Sequence, residues 1–141
     1  MEERVNPSIP MKILLVEPAQ EQLQTLEQEF SEWDWVSAPA GWPVTGESHL
    51  IQNDINVVMV FARPKEEKYA LGLCKKIKDF PQGEQIPLLI VINRYQMMLG
   101  ADVRKLPRAN FIIAPLEKDH LLKRMEEVGV PVNYEYGMRK T

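Results

Sequence analysis

The chain has 141 residues, 45% of them apolar and 26% charged, with a formal net charge of −3 at pH 7. That length suits one domain able to bury a core without disulfides or metals, and a single cysteine, Cys74, excludes an internal disulfide. Lys and Arg are scattered and form no basic arm, which argues against nucleic acid, while two histidines and one cysteine cannot furnish a convincing zinc site.

Residues 1–10, MEERVNPSIP, read as a loose leader, acidic and proline-punctuated, unlike a signal peptide. No run approaches the ~18 uninterrupted apolar residues of a membrane span. A cytoplasmic protein is expected. MKILLV (Met11 to Val16) is a nearly continuous apolar run, the pattern of a strand buried on both faces. Leu23, Leu26 and Phe30 then recur at helical spacing, with Glu17, Pro18 and Glu21 suited to a helix start. WDWVSA (Trp33 to Ala38) predicts a second strand nearer an edge, with Trp33 and Trp35 on one face and Asp34 on the other. The segment around Trp42 is less regular, and a short helix is expected near Glu47 to Gln52.

INVVMVFA forms the third strand. In KEEKYALGLCKKIKDF, Tyr69, Leu73, Ile77 and Phe80 define one apolar stripe of a helix. Cys74 falls among those apolar positions as a small core residue, and Lys75, Lys76 and Lys78 read as a solvated face. LLIVI (Leu88 to Ile92) is a fourth buried strand, and RYQMMLGADVRKL a short helix interrupted near Gly100. NFIIA (Asn110 to Ala114) is a fifth strand stopped by Pro115. The last helix turns Leu121, Leu122, Met125 and Val128 inward and stops at Gly129. Residues 11–129 therefore make one domain, and residues 130–141 a tail.

Apolar strands alternating with helices imply a parallel sheet covered on both faces. Right-handed crossovers leave few topologies, and a flavodoxin-like α/β three-layer sandwich is expected, with a five-stranded parallel sheet in the order 2-1-3-4-5. Its functional crevice lies at the carboxyl ends of the strands.

Four pieces, taken in order, resemble the receiver domain of two-component response regulators: ILLVEP at the first strand, DINVVMVFARP at the third, IPLLIVIN at the fourth, and ANFIIAPLEKDHLLKRM at the fifth strand and last helix. The resemblance implies two acids after the first strand, a phosphate-accepting aspartate ending the third, a hydroxyl ending the fourth, and a lysine after the fifth. At those positions this chain carries Glu17 and Pro18, Val60, Ile92 and Ala114. Mg²⁺ wants about six oxygen ligands, Val60 has no nucleophilic atom, and Ala114 cannot neutralise a phosphoryl group. A degenerate pseudo-receiver is expected, without catalytic residues, metal or cofactor. Glu17 is the one acid retained, and an ion pair with Arg63 or Arg94 is a candidate crevice contact.

If phosphate does not switch the domain, its surface carries the function. The resemblance points to the face of the fourth helix, fifth strand and fifth helix. Tyr95, Met97 and Met98 crowd the fourth-helix region, and such residues are over-represented at recognition surfaces. Phe111 falls where the family carries an aromatic switch residue. Protein partners are expected, with a homodimer through this face as one form. The alternatives are a conventional phosphorelay using Asp54 or Glu17, and a small-molecule enzyme. The sequence offers the latter no nucleophile–base pair, metal cluster or phosphate loop.

Overall fold

A computed structural model describes residues 11–38, 55–81 and 83–130. Five strands are seen: β1 (Lys12–Val16), β2 (Asp34–Ala38), β3 (Val57–Phe61), β4 (Leu88–Ile92) and β5 (Ala109–Ile113). Four helices are described, α1 (Gln20–Glu29), α2 (Glu67–Asp79), α3 (Met97–Arg104) and α4 (Lys118–Glu127). The helix counted fourth in the sequence is thus α3, and the last is α4. The helix expected at residues 47–52, Trp42, the leader 1–10 and the tail beyond Val130 lie outside the described residues.

The strands pair in parallel in the order β2-β1-β3-β4-β5. β3 and β4 are buried at all five positions, as continuous apolar strands require when helices cover both faces. Alternation along each strand sorts the side chains into two layers. Leu14, Val16, Val58, Val60, Ile90 and Ile92 face α2 and α3. Ile13, Leu15, Val57, Met59, Leu89 and Ile112 face α1 and α4. Each fully buried Val, Leu or Ile contributes about 1.5–3 kcal/mol.

The two indoles at β2 belong to the second layer. Trp33 is buried and stacks on Phe30 at 5.3 Å between centroids, and Trp35 packs edge-on to Phe30 at 5.9 Å. Cys74 is buried in the first layer, where desolvation pushes its thiol up to about 12.

Three expectations are corrected. Tyr69 leaves the buried stripe of α2 and is 53% exposed, because Ala70, Leu73, Cys74 and Ile77 already cover the sheet. Lys78 leaves the solvated face. It is buried, and its ammonium donates to the Ile86 and Glu84 carbonyls, which need partners where the chain turns into β4. Finally, α3 runs through Gly100 without interruption. A Cβ there would stand 2.8 Å from the Phe111 ring, so the glycine serves close packing.

Val130 is described and is 3% exposed within the second layer. Its N–H donates to the Met125 carbonyl beyond Gly129 (φ 96°), the left-handed stop that glycine supplies most readily. Among the described residues, no helix is long and apolar enough to cross a membrane.

Candidate functional site

The carboxyl ends of β1, β3, β4 and β5 bring Glu17, Pro18, Val60, Ile92 and Ala114 to one edge of the sheet. Val60 is 1% exposed and sits in register with Val16 on one side and Ile90 on the other. Ile92 is equally buried, and Ala114 is half-buried with its N–H on the Ile92 carbonyl. The floor of the crevice is therefore apolar side chain. Among the described residues, no three His, Cys, Asp or Glu side chains gather where they could hold a metal ion.

Glu17 leaves β1 in the left-handed region, at φ 59°, a conformation uncommon outside glycine, Asn and Asp. Its carboxylate accepts the Tyr69 hydroxyl from the first turn of α2. That bond, reinforced by partial burial, raises the Tyr69 pKa above its usual value, because losing the proton would leave two anions in contact. The expected ion pair is corrected here. Among the described residues, neither Arg63 nor Arg94 pairs with Glu17. The Arg94 guanidinium instead donates to the Tyr95 hydroxyl at 2.8 Å and lies 5.0 Å from the Tyr95 ring centroid.

A second polar group, between the β3–α2 and β4–α3 loops, is one that sequence reasoning missed. Gln96, 4% exposed, stands at the N-cap position of α3 but turns its side chain away from the helix backbone. Its carbonyl oxygen accepts the Asn93 N–H at 2.9 Å, and its NH₂ donates to the Arg63 carbonyl at 3.2 Å and the Glu67 carboxylate at 2.9 Å. Glu67 also accepts the Lys65 N–H at 3.3 Å, where the backbone is again left-handed at φ 67°. The bond from Gln96 is the main cause that holds the Glu67 carboxyl below the usual carboxylate range. Asn93 Oδ1 takes the Tyr95 N–H at 2.8 Å. Nothing in the sequence marks Gln96, because a buried glutamine shows no periodic signal and two of its three partners lie 29 and 33 residues away.

The expected surface residues stand together around the start of α3. Tyr95 is 81% exposed, Met98 84% and Met97 43%. Phe111 is half-buried, its ring lodged against Gly100 and covered by the Arg124 guanidinium at 5.1 Å from the centroid. Next to it, Ile113, Pro115, Glu117, His120, Lys123 and Arg124 line an open groove of about 480 Å³ between β5 and α4. The sequence did not reveal this groove, since only tertiary packing places α4 beside the sheet edge.

No protein-family profile matches the sequence, and no curated protein matches it by sequence. Solved structures do match it in fold. The bacteriophytochrome response regulator AtBRR is 23% identical, with TM-score 0.64 over 88% of this chain and 96% of its own. The signal receiver domain of a signal transduction histidine kinase from Syntrophus aciditrophicus is 16% identical, with TM-score 0.57 over 87% of this chain and 94% of its own. A structure described as adenylate cyclase from Rhodopirellula baltica is 16% identical, with TM-score 0.61 over 94% of this chain and 99% of its own. The chain has the flavodoxin-like fold of response-regulator receiver domains.

Proposed function

We propose that this chain is a receiver-like signalling domain that takes no phosphoryl group and works by binding another protein. The observation that carries the reading is Val60, buried without a nucleophilic atom at the end of β3. Acyl-phosphate formation needs a carboxylate oxygen there, and the neighbouring Ile92 and Ala114 supply neither hydroxyl nor cation. The domain is non-catalytic, needs no metal or cofactor, and acts in the cytoplasm. Incubation with Mg²⁺ and a small phosphodonor, followed by intact-mass measurement, should leave the mass unchanged. A gain of one phosphoryl group would overturn the reading and favour a relay through a non-standard acceptor such as Glu17. That second reading has the weaker support, because the Glu17 carboxylate is engaged by Tyr69.

The partner surface is the α3–β5–α4 face, with Tyr95, Met97, Met98 and Phe111. Its charge favours a different protein over a second copy. Arg94, Arg104 and Lys123 form no ion pair among the described residues, whereas Arg124 is held by Glu127 at 2.9 Å. A two-fold dimer sets one patch against itself and would bring these uncompensated cations together, although the chain as a whole carries −3. An acidic partner with apolar anchors meets both features. Sedimentation equilibrium is expected to give a monomer, and capture of a partner from extract is expected to fail for Met98→Asp. A dimer broken by Met98→Asp would replace this partner with self-association.

A further inference from the structure

We infer that Gln96 is a positioning residue: it braces the loops at the ends of β3 and β4 into one unit and so holds the Tyr95–Met98 surface in a single conformation without a switch. The inference rests on the interaction reading above for its purpose, but not for its geometry. The amide of Gln96 spends its donors and an acceptor lone pair on three different segments: Asn93 on the β4–α3 loop, Arg63 on the β3–α2 loop, and Glu67 at the start of α2. Asn93 in turn holds the Tyr95 N–H, and Glu67 holds the Lys65 N–H. Each link joins a side chain either to the backbone of another loop position or, between Gln96 and Glu67, to a second side chain.

Burial gives the brace its strength. At 4% exposure, water cannot substitute for a lost partner of Gln96. A fully connected buried network rigidifies the elements that it joins. The left-handed backbone at Lys65 persists because its N–H is held by Glu67, and such backbone endures only where surrounding contacts over-determine it. On the far side, Tyr69 ties α2 to Glu17 at the end of β1. The exposed Tyr95 and Met97 flank Gln96 directly in the chain, and the exposed Met98 follows. Their backbone is therefore positioned by a residue that offers almost nothing to a partner itself.

The test is ¹⁵N relaxation on the full chain at pH 7 and pH 5, for wild type, Gln96→Leu, Gln96→Glu and Glu67→Ala. In wild type, order parameters of Arg63, residues 65–67 and residues 93–98 should match those of the strands. In Gln96→Leu both loops should fall together toward about 0.6 or below, the flexible range, while β1 and β4 stay unchanged. Gln96→Glu sets a carboxylate against Glu67. Both loops should be loose at pH 7 and tighten in part at pH 5, as one of the two acids takes a proton and donates across the pair while the Arg63 carbonyl stays without its former donor. Arg63, Lys65 and Glu66 on the one loop, Arg94 on the other, and Glu17 with Tyr69 are common to all variants. Recovery at low pH confined to Gln96→Glu therefore belongs to position 96. Glu67→Ala, at a half-exposed position, reports on the same link if the core variant folds poorly. Loosening of residues 93–98 alone in Gln96→Leu, or no recovery of Gln96→Glu at pH 5, would overturn the brace and leave the docking reading standing. A phosphoryl adduct in the mass measurement would overturn the docking reading and leave the brace standing.

Discussion

Gly100 of α3 lies so close to Phe111 of β5 that a Cβ on the glycine would stand 2.8 Å from one ring atom, 2.9 Å from another and 3.0 Å from Ile92 Cδ1. The ring cannot retreat outward freely, because the Arg124 guanidinium covers it. Helix propensity favours alanine over glycine by about 1 kcal/mol, but overpacking costs about 1–3 kcal/mol. Gly100→Ala should therefore destabilise the domain by about 1 kcal/mol, read as a lower urea midpoint with unchanged slope. In a Phe111→Ala background the same change should stabilise it. Equal effects in both backgrounds would mean that the ring is not what excludes a side chain.

Val60→Asp asks whether the crevice is closed. The new carboxyl would enter a position 1% exposed, in register with Val16 and Ile90. Burying an unpartnered acid costs at least about 2 kcal/mol, and its folded pKa rises above the unfolded value. Stability of the variant relative to wild type should thus be greatest below the unfolded carboxyl pKa and fall as pH rises through the raised folded value. Urea titrations at pH 4.5 and pH 7.5 check this. A variant as stable as wild type at both would indicate a wet, open crevice.

Lys78 carries a pH signature of the opposite sense. Burial first, and Arg108 second, lower its pKa from the ordinary 10.5 to about 8. Between those two pH values the unfolded chain holds more protons than the folded one, so stability contributed by this group rises with pH. Comparison of wild type with Lys78→Met from pH 7 to pH 10 should show wild type gaining on the variant. No relative gain would mean that the ammonium is solvated in the folded protein.

Glu67 and the core indole set the scale for the surface variants. The Glu67 carboxyl is held low chiefly by Gln96, so its contribution is complete above the unfolded pKa and lost as pH falls through the folded one. Glu67→Gln should remove that acid-side dependence. Trp33→Ala, at a site 8% exposed and stacked on Phe30, should cost about 3 kcal/mol or more. Met98→Ala, at a site 84% exposed, should stay within about 0.5 kcal/mol. Surface variants that lose a partner will then have done so without unfolding.

The sequence by itself determined the sheet and most of its layers. Runs such as VVMVF and LLIVI have no polar face to offer water, and each folds as a central strand buried at every position. The inward set of α4 and the stop at Gly129 were legible for the same reason, since helical period and glycine chemistry are local. So was the identity of Val60, because a residue type at a strand end needs no tertiary contact to lack a nucleophile.

Only the tertiary structure decided where the polar groups went. Tyr69 keeps the period of the α2 stripe yet turns its hydroxyl to Glu17, 52 residues away. Lys78 sits in a charged run yet is buried against carbonyls 6 and 8 residues on. Gln96 joins segments that approach only when β3 lies beside β4. Hydrophobic burial is non-directional and leaves a periodic trace in the chain. A hydrogen bond is directional and is chosen by whichever donor and acceptor the finished packing brings within reach.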